Sequence, residues 1–108
     1  MARKVLDQAN RAGTISAELD GTFIDKMSAQ LVVRGQGAVS ATVVLEGSNT
    51  GQHWQQIAVM TATGDSEATD GGPCEALWER IRARVDDLSG TDAVVDCYLE
   101  TRGPVYGT

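Results

Sequence analysis

Trp78-Glu79-Arg80-Ile81-Arg82-Ala83-Arg84-Val85-Asp86-Asp87-Leu88-Ser89-Gly90-Thr91-Asp92-Ala93-Val94-Val95-Asp96-Cys97-Tyr98-Leu99-Glu100-Thr101 decides how the chain folds. Leu77, Ile81, Val85 and Leu88 sit at helical spacing, while Ile81, Ala83 and Val85 also alternate with arginines as a strand would. Cross-strand pairing separates the two readings. A hairpin turning at Ser89-Gly90-Thr91 sets Ile81 against Leu99, Ala83 against Cys97 and Val85 against Val95, all apolar. On the other face Arg80 meets Glu100, Arg84 meets Asp96 and Arg82 meets Tyr98, two opposite charges and a cation over a ring. A helix explains none of these matches, so residues 78–88 and 92–101 are predicted as two antiparallel strands.

The same grammar runs outward. Turn residues recur at Asp20-Gly21, Gly35-Gln36-Gly37, Ser48-Asn49-Thr50-Gly51, Gly64-Asp65, Asp70-Gly71-Gly72-Pro73 and Gly103-Pro104. Between them Ile15, Ala17 and Leu19, then Ala29, Leu31 and Val33, alternate with polar residues. Val39, Ala41, Val43 and Leu45 lead into the Ser48–Gly51 turn, and Ile57 and Val59 follow it, which predicts a second hairpin. Trp54 has the opposite parity to Ile57, so it lies over the outer face or is returned to the core by a bulge. The expected fold is all-β, an antiparallel β-sandwich of jelly-roll or immunoglobulin-like type.

Size and charge bound the rest. One domain accounts for 108 residues, of which 42% are hydrophobic, and residues 13–108 are assigned to it. No stretch approaches the roughly 20 apolar residues that span a bilayer. Met1-Ala2-Arg3-Lys4-Val5-Leu6 begins as secretion signals do but meets Asp7, so synthesis and residence in the cytoplasm are expected. Residues 1–12 hold Arg3, Lys4 and Arg11 against Asp7, a balance of +2, so with the chain at −6 the remainder carries −8. An acidic body repels phosphate backbones, which excludes direct nucleic-acid binding. The basic residues 1–12 read as an N-terminal arm that frays or docks on a partner.

The motif Leu45-Glu46-Gly47-Ser48-Asn49-Thr50-Gly51-Gln52-His53-Trp54, followed by Trp78-Glu79-Arg80-Ile81-Arg82-Ala83-Arg84-Val85 and Leu88-Ser89-Gly90, resembles small β-sandwich virion proteins of tailed bacteriophages. These are head decoration or cement proteins, with related modules in tails and fibres. Discoidin-like carbohydrate-binding jelly rolls carry similar motifs. The resemblance spans residues 38–101 and implies a protein without catalysis that binds the assembled major capsid protein shell, often as a homotrimer, and stabilises it. The alternative it implies is a carbohydrate- or receptor-binding module of a tail or fibre, with Trp54 as the platform. Thr50 stands where such turns often have Asp, which argues against a cation site there.

Catalytic patterns are missing. The single His53 offers no triad, because base catalysis needs a positioned partner. Cys74 and Cys97 lack CxxC spacing and are expected as free thiols, and no metal or cofactor is expected. Asp65, Glu67 and Asp70 miss calcium-loop spacing and read as a solvated acidic loop, as Asp86 and Asp87 read as a solvated strand end. Gly35-Gln36-Gly37 is a turn and not a phosphate loop. Trp78 is assigned to the core, and Arg80, Arg82 and Arg84 to a salt-bridged outer face. The candidate partner-binding residues are Arg3, Lys4, Arg11, Trp54, Arg80, Arg82 and Arg84.

Overall fold

The computed structural model describes residues 2–22 and 24–103. Met1 of the expected arm and Pro104 of the expected Gly103-Pro104 turn lie outside the described residues. Alternating Val, Ala and Thr build three long strands: β3 (Lys26–Ser48), β4 (Gln55–Cys74) and β5 (Arg80–Arg102). Two shorter ones precede them, β1 (Arg3–Ala9) and β2 (Leu19–Asp20). All belong to one antiparallel sheet ordered β1-β5-β3-β4, with β2 on the same flank of β5 as β1. No helix occurs among the described residues.

The hairpin expected about Ser48–Gly51 is present, with β3 paired to β4 from Met27↔Cys74 to Gly47↔Gln55. The one expected about Ser89-Gly90-Thr91 is not. Residues 80–102 form a single strand whose two sides are already taken. Ile81 pairs Leu19 on one side and Gly47 on the other, and Leu99 pairs Arg3 and Ala29. The sequence matches misled because apolar parity is kept along the whole of β5. A bent strand that buries one face throughout shows the same coincidences as two strands folded together.

Bending explains the other misplaced turns. A straight strand of 23 residues would span about 76 Å, and the longest dimension of the molecule is 50 Å. The register of β3 slips between Arg34 and Ala38 against Asp65–Glu67 of β4, and between Arg34 and Ser40 against Ser89–Val94 of β5. Gly37 (φ 70°) and Gly90 (φ 128°) adopt backbone angles that side-chain-bearing residues rarely take, and Ser66 (φ 67°) and Asp92 (φ 53°) share this left-handed conformation. Gly35-Gln36-Gly37, Gly64-Asp65 and Ser89-Gly90 are therefore aligned bulges within strands and not connections between them. Asp65, Glu67 and Asp70 likewise lie in β4, not in a loop.

The inward parity survives the bend. Leu31 and Val33 before it, Val43 and Leu45 after it, and Ile81, Val85, Val95 and Cys97 on β5 are all fully buried, and they join one core cluster. Burying each such aliphatic side chain stabilises the fold by roughly 1.5–3 kcal/mol. The stretch Ile15–Leu19 departs from its expected alternation: only Leu19 is buried and Ile15 is 48% exposed. It is held to β5 irregularly, by Gly13 N–H to Val85 O, Ser16 N–H to Ala83 O, and the Ala83 N–H donating to Ser16 Oγ.

Candidate partner-binding surface

The turn after β3 is assembled by side chains that take up its own backbone donors. Ser48, fully buried, accepts the N–H groups of Thr50 (3.2 Å) and Gly51 (2.9 Å) on Oγ. Thr50 Oγ1 accepts from Gln52 N and His53 N and lies 3.0 Å from His53 Nδ1. Asn49 reaches across to accept the Glu79 N–H at 2.9 Å. Trp78 lies over Gly47 so closely that a Cβ there would stand 2.4 Å from its Cγ. Its indole N–H donates to Glu75, and it is partly buried against the core cluster, at the margin of the core to which the sequence assigned it. Each residue of the Gly-Ser-Asn-Thr turn is thus engaged in a joint that fastens the β3–β4 turn to the segment entering β5.

Beside this joint Glu46 occupies the outer face of β3, only 12% of its side chain exposed, and binds Arg82 at 2.9 Å and Arg84 at 3.4 Å. Arg84 also meets Asp86 at 2.7 Å, and that hydrogen bond, opposed by partial burial and helped by Glu46, holds its guanidinium above its ordinary pKa. Arg82 stacks on Trp54, its guanidinium carbon 4.0 Å from the ring centroid. Trp54 is half-buried on the outer face, one of the two positions its parity allowed. Of the arginine row, Arg82 and Arg84 are salt-bridged, with Glu46 and Asp86; the pairings Arg84–Asp96, Arg80–Glu100 and Arg82–Tyr98 do not form because those residues lie on opposite sides of the bend. Arg80 is exposed, opposite Asp20 and Ser48 in the ladder.

Arg3–Ala9, where an arm was expected, form strand β1. β1 covers the flank of β5, and Leu6 and Ala9 are buried in the core. Two bulges and a left-handed Gln8 (φ 50°) break its ladder. The Gln8 N–H is taken by Asp96 Oδ1 at 2.8 Å. Asp96, 1% exposed, also binds Arg34 at 2.9 Å and Lys4 at 3.8 Å. This buried carboxylate therefore ties β1 across β5 to β3. Lys4 further contacts Asp7 at 3.3 Å, which raises its pKa, and stands 5.4 Å from the Tyr98 ring. Arg3 and Arg11 are exposed and have no ion pair among the described residues.

Sequence reading missed Asp96, Arg34 and Glu46 as organisers. A carboxylate set in Val94-Val95-Asp96-Cys97 is the visible signal for the first, since a charge inside an apolar run must find partners on folding. Cys74 and Cys97 are free thiols. Burial raises the pKa of Cys74 and, with the nearby Cys74 contributing, pushes Cys97 up to about 12. Among the described residues no group of three or more His, Cys, Asp or Glu could hold a metal ion. No family model, curated protein or solved structure matches the chain.

Proposed function

We propose that the chain is a non-enzymatic virion protein, a bacteriophage capsid decoration or cement protein that binds the assembled major capsid shell and copies of itself, made in the host cytoplasm and resident on the capsid surface. The observation that carries this reading is the joint. Ser48, Asn49, Thr50 and Trp78 of the motif shared in kind with small virion proteins fix the turn, and Glu46, Trp54, Arg82 and Arg84 tie up the outer face of the sheet, which suits a protein whose task is mechanical. Its fold would be a β-sandwich formed by one sheet bent over its own apolar face. Full burial of side chains on both sides of the bend supports this, because a single sheet leaves an uncovered face wet. The attachment surface would be the basic flank of β1, where Arg3 and Arg11 are exposed and without an ion pair among the described residues, beside a body of opposite charge.

The alternative, a carbohydrate- or receptor-binding module of a tail or fibre, would need a free face on Trp54. One face of that ring carries the Arg82 guanidinium. Co-sedimentation with purified tailed-phage capsid shells, run beside a glycan array, tests the two. Saturable sedimentation, lost in an Arg3→Glu/Arg11→Glu variant of unchanged melting temperature, supports decoration. Glycan binding without shell binding overturns it. Deleting residues 1–12 is the wrong test, since removing β1 strips Leu6 from the core and uncovers Cys97 and Leu99, its neighbours in the ladder.

A further inference from the structure

β4 ends the sheet, so one side of its backbone has no strand beside it among the described residues. Such an edge is a template for a further strand unless something blunts it. Along Gly64–Cys74 it is blunted by Asp65, Glu67, Asp70, Pro73 and the bend at Ser66. Gln55–Thr63, Gln-Gln-Ile-Ala-Val-Met-Thr-Ala-Thr, carries no charge, proline or glycine, and Val59 is 48% exposed. By composition it is the segment of this edge most prone to pair.

The bend brings a guard to it. Thr61 lies opposite Thr42 in the ladder, yet its N–H points outward and is taken by Asp70 Oδ2 at 3.0 Å, from nine residues further along the same strand. Asp70 Oδ1 accepts its neighbour Gly71 N–H at 2.9 Å, which fixes the carboxylate in place. We propose that Asp70 seals the Gln55–Thr63 edge against pairing with a second copy of this chain.

A second copy is the occupant to expect because the segment is self-complementary. In an antiparallel pair about a two-fold axis each residue meets its own kind or a near neighbour. Registers centred on Val59 or Thr61 bring together Val, Ile and Thr, with no like charges opposed. Thr61 N–H points outward, and with it, by alternation beyond the register slip at Ile57, those of Val59 and Thr63, so in both registers Thr61 must supply one of the new hydrogen bonds. While Asp70 holds that N–H, the ladder has a gap at or beside its centre and a charged side chain lying on the edge. This inference concerns the isolated chain and stands or falls apart from shell binding.

Mass by light scattering across a dilution series, on the full chain, is the test. Asp70→Ala should form a larger species that the parent lacks at the same concentration, while Asp70→Asn, which keeps an acceptor oxygen, should match the parent. Adding Val59→Lys to Asp70→Ala should restore the parent's mass, because it sets Lys against Lys in the Val59 register and puts a charge on the pairing edge in the Thr61 register. Should Asp70→Ala fold poorly, amide exchange on the parent decides: the Thr61 N–H should exchange about fivefold slower than those of Val59 and Thr63, the factor expected from a net hydrogen bond of about 1 kcal/mol. An Asp70→Ala protein with the parent's mass at every concentration, or a Thr61 amide exchanging as fast as its odd-numbered neighbours, overturns the proposal.

Discussion

β5 and β4 are strands of similar length in one sheet, and they are made of different material. β5 has neighbours on both sides and keeps Ile81, Ala83, Val85, Val95 and Cys97 fully buried across its bend. β4 has one neighbour, and its buried residues are Met60 and Ala62. The contrast teaches that in this fold a strand's position in the sheet, more than its length, sets how much of its sequence is committed to the core. Thr, Gly and Asp on β4 can serve its edge because packing does not claim those positions.

The largest expected effect breaks β5. Ile81→Ala should cost about 2–5 kcal/mol in denaturant unfolding, as a large-to-small change at a fully buried site does. A loss under 1 kcal/mol would mean the core does not run along that strand. Next comes the joint that leads into it. Gly47→Ala puts a methyl group into Trp78 and should cost about 1–3 kcal/mol, with a change in tryptophan emission as the ring is displaced. The same pair of strands separates by thiol chemistry, because the thiolate is the reactive form. Cys74 of β4 should alkylate in the native protein well before Cys97 of β5, whose pKa lies near 12. A thiol held protonated by folding stabilises fully below its unfolded pKa, so that contribution should fade as pH rises from about 9 toward 12. The smallest effect belongs to the edge: Val59→Ala, at an exposed site on β4, should stay within about 0.5 kcal/mol.

Legibility in the sequence follows the same division. The apolar alternation of β3 and β5 was readable and names the buried face correctly on both sides of the bend. What alternation cannot encode is whether a glycine such as Gly90 turns the chain back on itself or bends a strand that continues, since both preserve parity. The polar, glycine-bearing half of β4 carries no alternation at all, and so Asp65, Glu67 and Asp70 read as loop. At the candidate surface, the Ser48–Gly51 turn and the outer-face arginines were visible from turn chemistry and charge. Their partner Glu46, and Asp96 beneath β1, were not, because the contacts join residues 36 to 88 positions apart.

Cryo-electron imaging of purified phage particles is the most direct test of the functional reading. Ordered density for the bent sheet is expected on the outer surface of the head, with the β1 flank carrying Arg3 and Arg11 against the shell. Particles whose heads lack the chain, or that carry it at a fibre tip, would contradict it.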